Sequence, residues 1–329
     1  MTMKPIISVL LLGGTISMAP AKGAPENNKG VVPSVGADDL CNAVSGLADV
    51  ARVVPQTVKM VASANLNLND IFDLKNKIEE LSREDNSDGV VIVQGTDTLE
   101  EVAFMLDLIL DVNIPVAVTG AMRSANMVSA DGPTNILSAT IAAGSSALSS
   151  AGVVVVMNEE IHAARFVQKC HTRDVGAFKS LNGGRLGQIC EGSVLLAASI
   201  TKKPTINISD IKDIPKVGLV KATLGDDGGM LEHVLSESYD GLVVEAFGAG
   251  HLPEAWLPLL DKLVDKMPVM LCSRTAEGPV FEKSYGYAGA EIDLIARGLI
   301  PAGILDGPKA RLFMQACLMS GKAVTKPPY

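Results

Sequence analysis

The sequence predicts an α/β protein with two domains: a large N-terminal domain on a parallel or mixed sheet and a smaller C-terminal α/β domain. Apolar β-rich runs alternate with segments of helical spacing as far as residue 195. The pattern then breaks at a polar stretch that contains Pro204 and Pro215, and the alternation starts again at Val217. Continuous apolar strands separated by helices are typical of a parallel sheet with helices on both faces.

Each predicted element follows from its local pattern. Short runs rich in Val, Ile and Leu predict strands, and apolar residues recurring at helical intervals predict helices. In the first domain we expect strands over 6–12, 51–61, 90–93, 115–119 and 153–157, and helices over 37–46, 71–81, 99–110 and 134–146. In the second we expect strands over 217–222, 241–246 and 269–272, and helices over 230–235, 256–266 and 308–320. We place the N-terminal domain at 1–198, a linker at 199–215 and the C-terminal domain at 216–329.

The composition argues against several classes of function. The 329 residues are 47% hydrophobic and 20% charged, as in a globular protein. A net charge of −9 without a basic block argues against a nucleic-acid partner. Five scattered cysteines with no Cys-x-x-Cys pair indicate a reducing compartment rather than a disulfide framework or a zinc site. The apolar run 6–12 is too short to span a membrane and no convincing cleavage site follows it, so we expect a cytoplasmic protein without a membrane partner.

Two short turns place a threonine where a buried strand should end. A Gly-Gly-Thr turn ending at Thr15 follows the first strand, and a Gly-Thr-Asp turn with Thr96 and Asp97 follows the run 90–93. The carboxyl ends of strands in an open parallel sheet line the crevice in which ligands bind. Two hydroxyls in one crevice, one of them beside a carboxylate, indicate nucleophilic chemistry.

Both turns also have a purely structural interpretation. Thr98 to Glu101 and Asp97 to Glu100 each match a capping box, which would simply start the helix over 99–110. The Gly-Gly-Thr turn would be an ordinary tight turn, since the chain lacks the glycine patterns of dinucleotide and P-loop sites. The stretch 19–36 is nevertheless longer than an ordinary connection, and its length predicts a functional lid.

Two further segments follow predicted strands. Gly120 and Ala121 follow the strand over 115–119, and in the loop beyond them the structural interpretation is that Arg123 and Asp131 pair and brace the loop. Lys169 follows the strand over 153–157, where a lysine is usually solvated. The four histidines have no metal-ligand spacing, and no Gly-x-Ser-x-Gly elbow occurs.

Taken together, these motifs resemble the bacterial-type L-asparaginase/glutaminase family. The resemblance covers nearly the whole chain, keeps order and spacing, and rests on the segments 12–16, 94–101, 118–123, 129–133, 155–158 and 174–180. It implies two α/β domains, an active site at the strand ends of the larger one, a small-molecule amide as substrate, and no metal or organic cofactor. It also implies a homo-oligomer, dimer or tetramer, in which the C-terminal domain of a neighbouring copy completes each site.

The resemblance also assigns roles to individual residues. Thr15 corresponds to the first threonine of the family and Thr96 to the second, with Asp97 and Lys169 as the acid and base partnered with Thr96. Substrate contacts are implied at Gly14, Ser63, Gly95 and Ala121.

The implied reaction is hydrolysis of the side-chain amide of L-asparagine, or of glutamine, to the acid and ammonia through an acyl-threonine. Resemblance makes Thr15 the first choice for the attack, although spacing does not rank it above Thr96. A threonine needs a base to accept its proton, and burial would favour the neutral amine of Lys169. Asp97 would bind the substrate ammonium, and backbone N–H groups near Thr96 and Ala121 would stabilise the oxyanion.

This sequence departs from the family pattern at three places. The family typically has a tyrosine in the loop after the first threonine, and no tyrosine occurs between Thr15 and Gly36. Ala64 stands where the family usually has glutamine, and His251 where many members have asparagine.

These departures leave other functions open. One is hydrolysis of a different small amide, such as glutamine, a D-amino-acid amide or a cyclic amide. Another is the ammonia-generating component of a tRNA-dependent amidotransferase, which the acidic charge disfavours. A third is a catalytically silent small-molecule binding protein. Tyr285 and Tyr287 are candidates to replace the missing phenol from a neighbouring copy of the chain.

Overall fold

A computed structural model describes residues 3–20, 31–84, 86–200, 204–208 and 213–329. The chain divides into two compact units, Met1–Thr205 and Ile206–Tyr329. This division falls inside the predicted linker, and the domain limits that we placed on either side of it stay a prediction. The predicted lid over 19–36 and the linker over 199–215 lie partly outside the described residues.

The first unit contains the elements that carry the candidate site. Its strands are β1 (Ile6–Gly13), β2 (Met18–Pro20), β3 (Val31–Pro33), β4 (Arg52–Val61), β5 (Gly89–Val93), β6 (Val116–Thr119), β7 (Val153–Met157), β8 (Glu160–Ala163), β9 (Val167–Lys169), β10 (Phe178–Ser180), β11 (Gly187–Cys190) and β12 (Ser193–Leu196). Its helices are α1 (Ala37–Asn42), α2 (Leu47–Val50), α3 (Leu68–Arg83), α4 (Leu99–Ile109) and α5 (Gly132–Ala143).

One large mixed sheet organises this unit, in the order β12-β11-β8-β7-β6-β5-β1-β4. The strands from β4 to β7 pair in parallel, and β8, β11 and β12 pair antiparallel. The change occurs where Asn158 and Glu159, both with positive φ, form a tight turn between β7 and β8. Such a turn can join only antiparallel strands, because a parallel pair needs a long crossover. The predicted α/β class is confirmed, on a sheet that is mixed rather than wholly parallel.

The winding of the sheet reverses beside β1. From β1 the chain passes to β4 on one side and then to β5 on the other, and it continues outward through β6 and β7. The side chains of Ile7, Val9 and Leu11 on β1 are fully buried in a core that includes residues of α5. Ligands of open α/β sheets bind at the carboxyl ends of the strands at such a reversal. The fold therefore places its crevice after β1 and β5, which are the strands that precede Thr15 and Thr96.

Glycine and asparagine decide where two helices begin and end. The helix expected over 37–46 ends at Asn42, and a separate short helix, α2, begins after Gly46, which adopts a φ of +79°. Helix α3 starts earlier than expected because Asn67 accepts hydrogen bonds from the backbone of Asn69 and Asp70, while the Asp70 carboxylate accepts one from the Asn67 N–H. This capping box outweighs the apolar pattern that indicated a start at Ile71.

The second unit is a smaller parallel sheet in the order β13-β14-β15-β16. Trp256 lies fully buried in its core, and the indole N–H donates to the carbonyl of Asp226. Within the described ranges, no helix combines the length and apolar character needed to cross a membrane. The elements of this unit are β13 (Val217–Lys221), α6 (Gly229–Ser236), β14 (Gly241–Ala246), α7 (Leu257–Val264), β15 (Val269–Ser273), α8 (Glu291–Ala296), β16 (Ile300–Pro301) and α9 (Gly307–Met319).

A histidine is buried on β8 of the large sheet. His162 is only 1% exposed, and a 3.0 Å hydrogen bond joins its Nδ1 to the Ser180 hydroxyl. Burial lowers the pKa of His162 from 6.5 to about 4; the Glu160 carboxylate opposes this shift, whereas Lys179 and Arg185 add to it. The fold therefore requires a neutral imidazole at this position.

This burial predicts a dependence of stability on pH. Below pH 6.5 His162 is protonated in the unfolded chain. In the folded protein it stays neutral until the pH approaches about 4. The free energy of unfolding should therefore fall over that range, by about 2 kcal/mol near pH 4.5. Urea denaturation of wild type and His162→Leu near pH 7 and near pH 4.5 measures the contribution. The variant should lose less stability on acidification, and an equal loss in both proteins would contradict the prediction.

Candidate active site

The turn after β1 lies directly against the turn after β5. Gly13 and Gly14 have φ values of +106° and +90°, which residues with a side chain rarely adopt. A Cβ on Gly14 would come within 2.1 Å of the Gly95 nitrogen, and one on Gly13 within 2.5 Å of the Val61 oxygen. Only glycine therefore allows this approach, which brings Thr15 beside the segment that carries Thr96.

Thr15 begins a short 3-10 turn that is closed by Ser17. The Gly14 carbonyl accepts hydrogen bonds from the Ser17 N–H at 3.0 Å and from its hydroxyl at 2.9 Å. Thr15 itself is half-buried, and its hydroxyl has no hydrogen-bond partner among the residues that the structure describes. The Gly14 carbonyl and Ser17 thereby fix the turn on which Thr15 lies.

Lys169 joins Thr96 and Asp97 in one hydrogen-bonded cluster. Its Nζ lies 2.9 Å from Thr96 Oγ1 and 2.7 Å from Asp97 Oδ1. Thr96 is 6% exposed, and the side chains of Lys169 and Asp97 are 18% and 69% exposed. The arrangement gives a shielded hydroxyl an amine partner and leaves a carboxylate facing solvent. The side chain of Lys169 is thus largely shielded from solvent, whereas its position in the sequence alone would suggest a solvated lysine.

Ser63 packs against the same turn from the end of β4. Its hydroxyl accepts a 3.3 Å hydrogen bond from the Asp97 N–H, and a Cβ on Gly95 would come within 2.6 Å of it. The Ser63 carbonyl accepts a 3.1 Å hydrogen bond from the Thr98 hydroxyl. Ser63 is thereby fixed beside Gly95, and its role as a substrate contact stays a prediction.

The predicted capping boxes are wrong. Thr98 occupies the N-cap position of α4 but makes no side-chain cap hydrogen bond, because its hydroxyl donates to Ser63. The Glu100 carboxylate accepts a hydrogen bond from the Lys169 N–H. The side chains of Thr98 and Glu100 therefore bond to partners distant in sequence instead of capping α4.

The third strand end is held by a carboxylate and an amide. A Cβ on Gly120 would come within 3.3 Å of Thr96 Cγ2, so this strand end borders the threonine. The fully buried Asn135 donates to the Gly120 carbonyl at 2.9 Å and to Asp131 at 3.1 Å, and accepts from the Asn158 N–H at 2.9 Å. The peptide that leads into Ala121 is therefore fixed in orientation.

The predicted pair between Arg123 and Asp131 is wrong in detail. The two carboxylate oxygens of Asp131 each accept a 2.9 Å hydrogen bond from the backbone, from the N–H groups of Met122 and Arg123. The guanidinium of Arg123 donates instead to the Ser129 carbonyl at 2.9 Å. Backbone N–H groups left unpaired at the strand end outcompete the side chain for the carboxylate.

Sequence reasoning misses the contributions of Glu100 and Asn135. The local pattern indicates only a helix cap for Glu100 and assigns no role to Asn135. The available signal for Asn135 is a polar residue on the inward face of an apolar helix, since such residues need an internal partner. For Glu100 no local signal exists, because its partner lies 69 residues along the chain.

A second cluster lies in the C-terminal unit, around His251. Its Nε2 is 3.3 Å from the carboxylate of the fully buried Glu291, and its ring makes edge contacts with Tyr285 and Tyr287 at 4.9 and 5.4 Å. Burial alone would raise the pKa of Glu291, but hydrogen bonds from the backbone of Tyr285 and Ser284 outweigh it and hold the pKa below its usual range. His251, at which this sequence departs from the family pattern, thus lies beside an ionised carboxylate.

Comparisons with known proteins agree with this fold. Residues 6–202 match the family model "Asparaginase, N-terminal", and residues 216–326 match "Glutaminase/Asparaginase C-terminal domain". L-asparaginase 2 of Escherichia coli is 34% identical over 97% of this chain and 90% of its own length. A probable L-asparaginase of Deinococcus radiodurans is 36% identical over 96% of this chain and 94% of its own length.

A solved structure and a more distant relative define the range of the similarity. The crystal structure of a probable cytoplasmic L-asparaginase from Campylobacter jejuni superposes with a TM-score of 0.84 at 31% identity, covering 96% of this chain and 95% of that one. One component of the glutamyl-tRNA(Gln) amidotransferase from Methanosarcina acetivorans is 32% identical over 92% of this chain and 70% of its own length. The first unit is a mixed α/β sheet with a hydroxyl–amine–carboxylate cluster at its switch point. The matches to both family models show that the chain belongs to the asparaginase family.

The close approach of Gly14 to Gly95 predicts an unusually costly substitution. Gly14→Ala combines a left-handed φ with a backbone clash, so we expect a loss of more than about 3 kcal/mol of stability. Gly46→Ala is the matched control, because Gly46 has a φ of +79° but nothing within 4 Å of a new Cβ, and it should cost only about 1 kcal/mol. Thermal unfolding of both variants measures the difference, and equal midpoints would contradict the argument.

Proposed function

We propose that this protein hydrolyses the side-chain amide of L-asparagine to aspartate and ammonia through an acyl-threonine. The observation that carries the proposal is the contact of Lys169 Nζ with both Thr96 Oγ1 and Asp97 Oδ1, at 2.9 and 2.7 Å. A hydroxyl beside an amine and a carboxylate is the arrangement that activates a threonine. Membership of the asparaginase family supports the choice of substrate.

In the first half of the reaction, the Thr15 hydroxyl attacks the amide carbon and forms a C–O bond. Its proton passes through Thr96 to the Lys169 amine and then to the leaving nitrogen. The C–N bond breaks, and ammonia departs. In the second half, water attacks the ester, the acid is released, and the proton from water restores the Thr15 hydroxyl.

The remaining residues bind and orient the substrate. Asp97, with its exposed carboxylate, pairs with the substrate ammonium, and Ser63 contacts the substrate carboxylate. Backbone N–H groups near Thr96 and Ala121 stabilise the oxyanion, and removing one such donor typically costs about 3 kcal/mol of transition-state stabilisation. Gly14 and Gly95 are expected to contact the substrate through their backbone atoms, since neither has a side chain.

Removal of the Thr96 hydroxyl or the Lys169 amine should abolish turnover. Ammonia release from L-asparagine, L-glutamine, a D-amino-acid amide and a cyclic amide measures both activity and substrate preference. Thr96→Ala and Lys169→Met should each lower kcat by about a thousandfold or more. Thr325→Ala, at an exposed threonine in the second unit, should retain wild-type activity.

The same panel decides between the proposal and its alternatives. Ala64, His251 and the tyrosine-free loop favour a second candidate function, hydrolysis of a different small amide. A kcat/KM higher for another amide than for asparagine would select that candidate. Ligand-induced stabilisation without hydrolysis of any amide would overturn both and indicate a binding protein.

Acid quench during turnover should identify the attacking residue. We expect the acyl group on Thr15, because its hydroxyl is unpartnered among the described residues whereas that of Thr96 is bonded to Lys169. Mass spectrometry of the digested protein would locate the ester. An acyl group on the peptide with Thr96 would exchange the roles of the two threonines.

We further infer a cytoplasmic homo-oligomer, dimer or tetramer, in which a neighbouring copy's C-terminal domain completes each site. The Campylobacter jejuni protein is named a probable cytoplasmic L-asparaginase, whereas the Haemophilus influenzae relative is named as periplasmic. The scattered free cysteines favour the cytoplasm. Sedimentation velocity measures the assembly, and a monomer that retained full activity would contradict it.

A further inference from the structure

Lys169 is not part of the large sheet. It ends β9, which pairs only with β10 in a two-stranded antiparallel ribbon within the described chain, where Phe178 lies opposite Lys169 and Ser180 opposite Val167. A two-stranded ribbon is marginally stable by itself. The position of the Lys169 amine therefore depends on the contacts that hold this ribbon in place.

One anchor connects the ribbon to α4. The Lys169 N–H donates to the carboxylate of Glu100, in the first turn of the helix that starts just after Thr96 and Asp97. This bond fixes the backbone of Lys169 relative to the threonine. It acts at the end of β9, whereas β10 is held by its pairing with β9, by burial of the Phe178 side chain and by a separate hydrogen bond.

A second anchor connects β10 to the large sheet. The Ser180 hydroxyl is joined at 3.0 Å to Nδ1 of His162, which lies on β8 opposite Val155 of β7. His162 is 1% exposed and Ser180 is half-buried, so the histidine side of this hydrogen bond is shielded from water. A second and weaker contact runs beside it on the surface, where Lys179 lies 3.8 Å from Glu160.

The surroundings of His162 determine which way this hydrogen bond runs. Nε2 has no hydrogen-bond partner in the described chain, but Glu160 Oε2 lies 3.6 Å from it. A carboxylate at that distance favours the tautomer with the proton on Nε2. Nδ1 is then the acceptor and the Ser180 hydroxyl the donor. Glu160 is itself held by Arg185 at 2.6 Å, so the carboxylate is fixed where it selects this tautomer.

We propose that His162 is a positioning residue, whose hydrogen bond to Ser180 holds the β9–β10 ribbon against the large sheet so that the Lys169 amine stays on Thr96 and Asp97. Its effect on catalysis rests on the proposed amide hydrolysis, whereas its effect on the ribbon does not. Neither His162 nor Ser180 touches the reacting atoms. A small displacement of a catalytic group is sufficient to lower turnover strongly.

The test uses substitutions on both sides of the hydrogen bond. Ser180→Ala removes the donor and His162→Leu removes the acceptor at similar volume. His162→Asn keeps an acceptor near the position of Nδ1 and serves as the rescue variant. Ser193→Ala, at an exposed serine of β12, is the matched control. Hydrogen exchange of residues 167–180 reports on the ribbon without substrate, and ammonia release reports on kcat and KM.

We expect faster exchange over 167–180 in Ser180→Ala and His162→Leu, together with a kcat lower by about tenfold and an unchanged KM. His162→Asn should recover most of both properties, and Ser193→Ala should match wild type. A purely structural role would lower thermal stability and leave kcat per folded molecule unchanged.

Two results would overturn the proposal. Unchanged exchange in Ser180→Ala would show that the hydrogen bond does not hold the ribbon. Faster exchange with an unchanged kcat would show that the ribbon does not position the base. Wild type that hydrolyses no amide would instead refute the proposed function, and the exchange data would still report on the ribbon.

Discussion

The candidate site depends on the contact between two backbone turns at the switch point of the large sheet. Gly14 approaches Gly95 so closely that a Cβ on the first would come within 2.1 Å of the nitrogen of the second. Strand order alone puts β1 and β5 side by side. Only the absence of side chains at both turns lets the segments that follow, with Thr15 and Thr96, share one crevice.

Around this contact, hydrogen bonds between polar groups hold the functional segments in position. Asn135 fixes the strand end at Gly120, Ser63 fixes the turn at Asp97, and Glu100 fixes the backbone of Lys169. Each of these hydrogen bonds joins different elements, so each ties one functional segment to another. Such networks hold a site geometry because a rearrangement would leave a buried donor or acceptor unpaired, which costs free energy.

Family membership and the local departures act on different parts of the molecule. The threonines, Asp97 and Lys169 lie in the first unit with the geometry described above, whereas His251 and its two tyrosines form a separate cluster in the second unit. In the proposed function the first set of residues carries the reaction, whereas the departure from the family pattern at His251 lies in the other unit.

The sequence by itself determined the fold class, most of the strands and the two threonine turns, because buried parallel strands and glycine turns leave local patterns. It did not determine the mixed edge of the sheet, where the short strands β8, β11 and β12 carry no clear period. It also assigned Thr98 and Glu100 to local partners that tertiary neighbours replaced. Only the tertiary structure decided that Lys169 meets Thr96, and that His162 reaches Ser180. The reason is physical: a hydrogen bond between residues far apart in the chain has no periodic signature, and it forms because packing has already removed both groups from water.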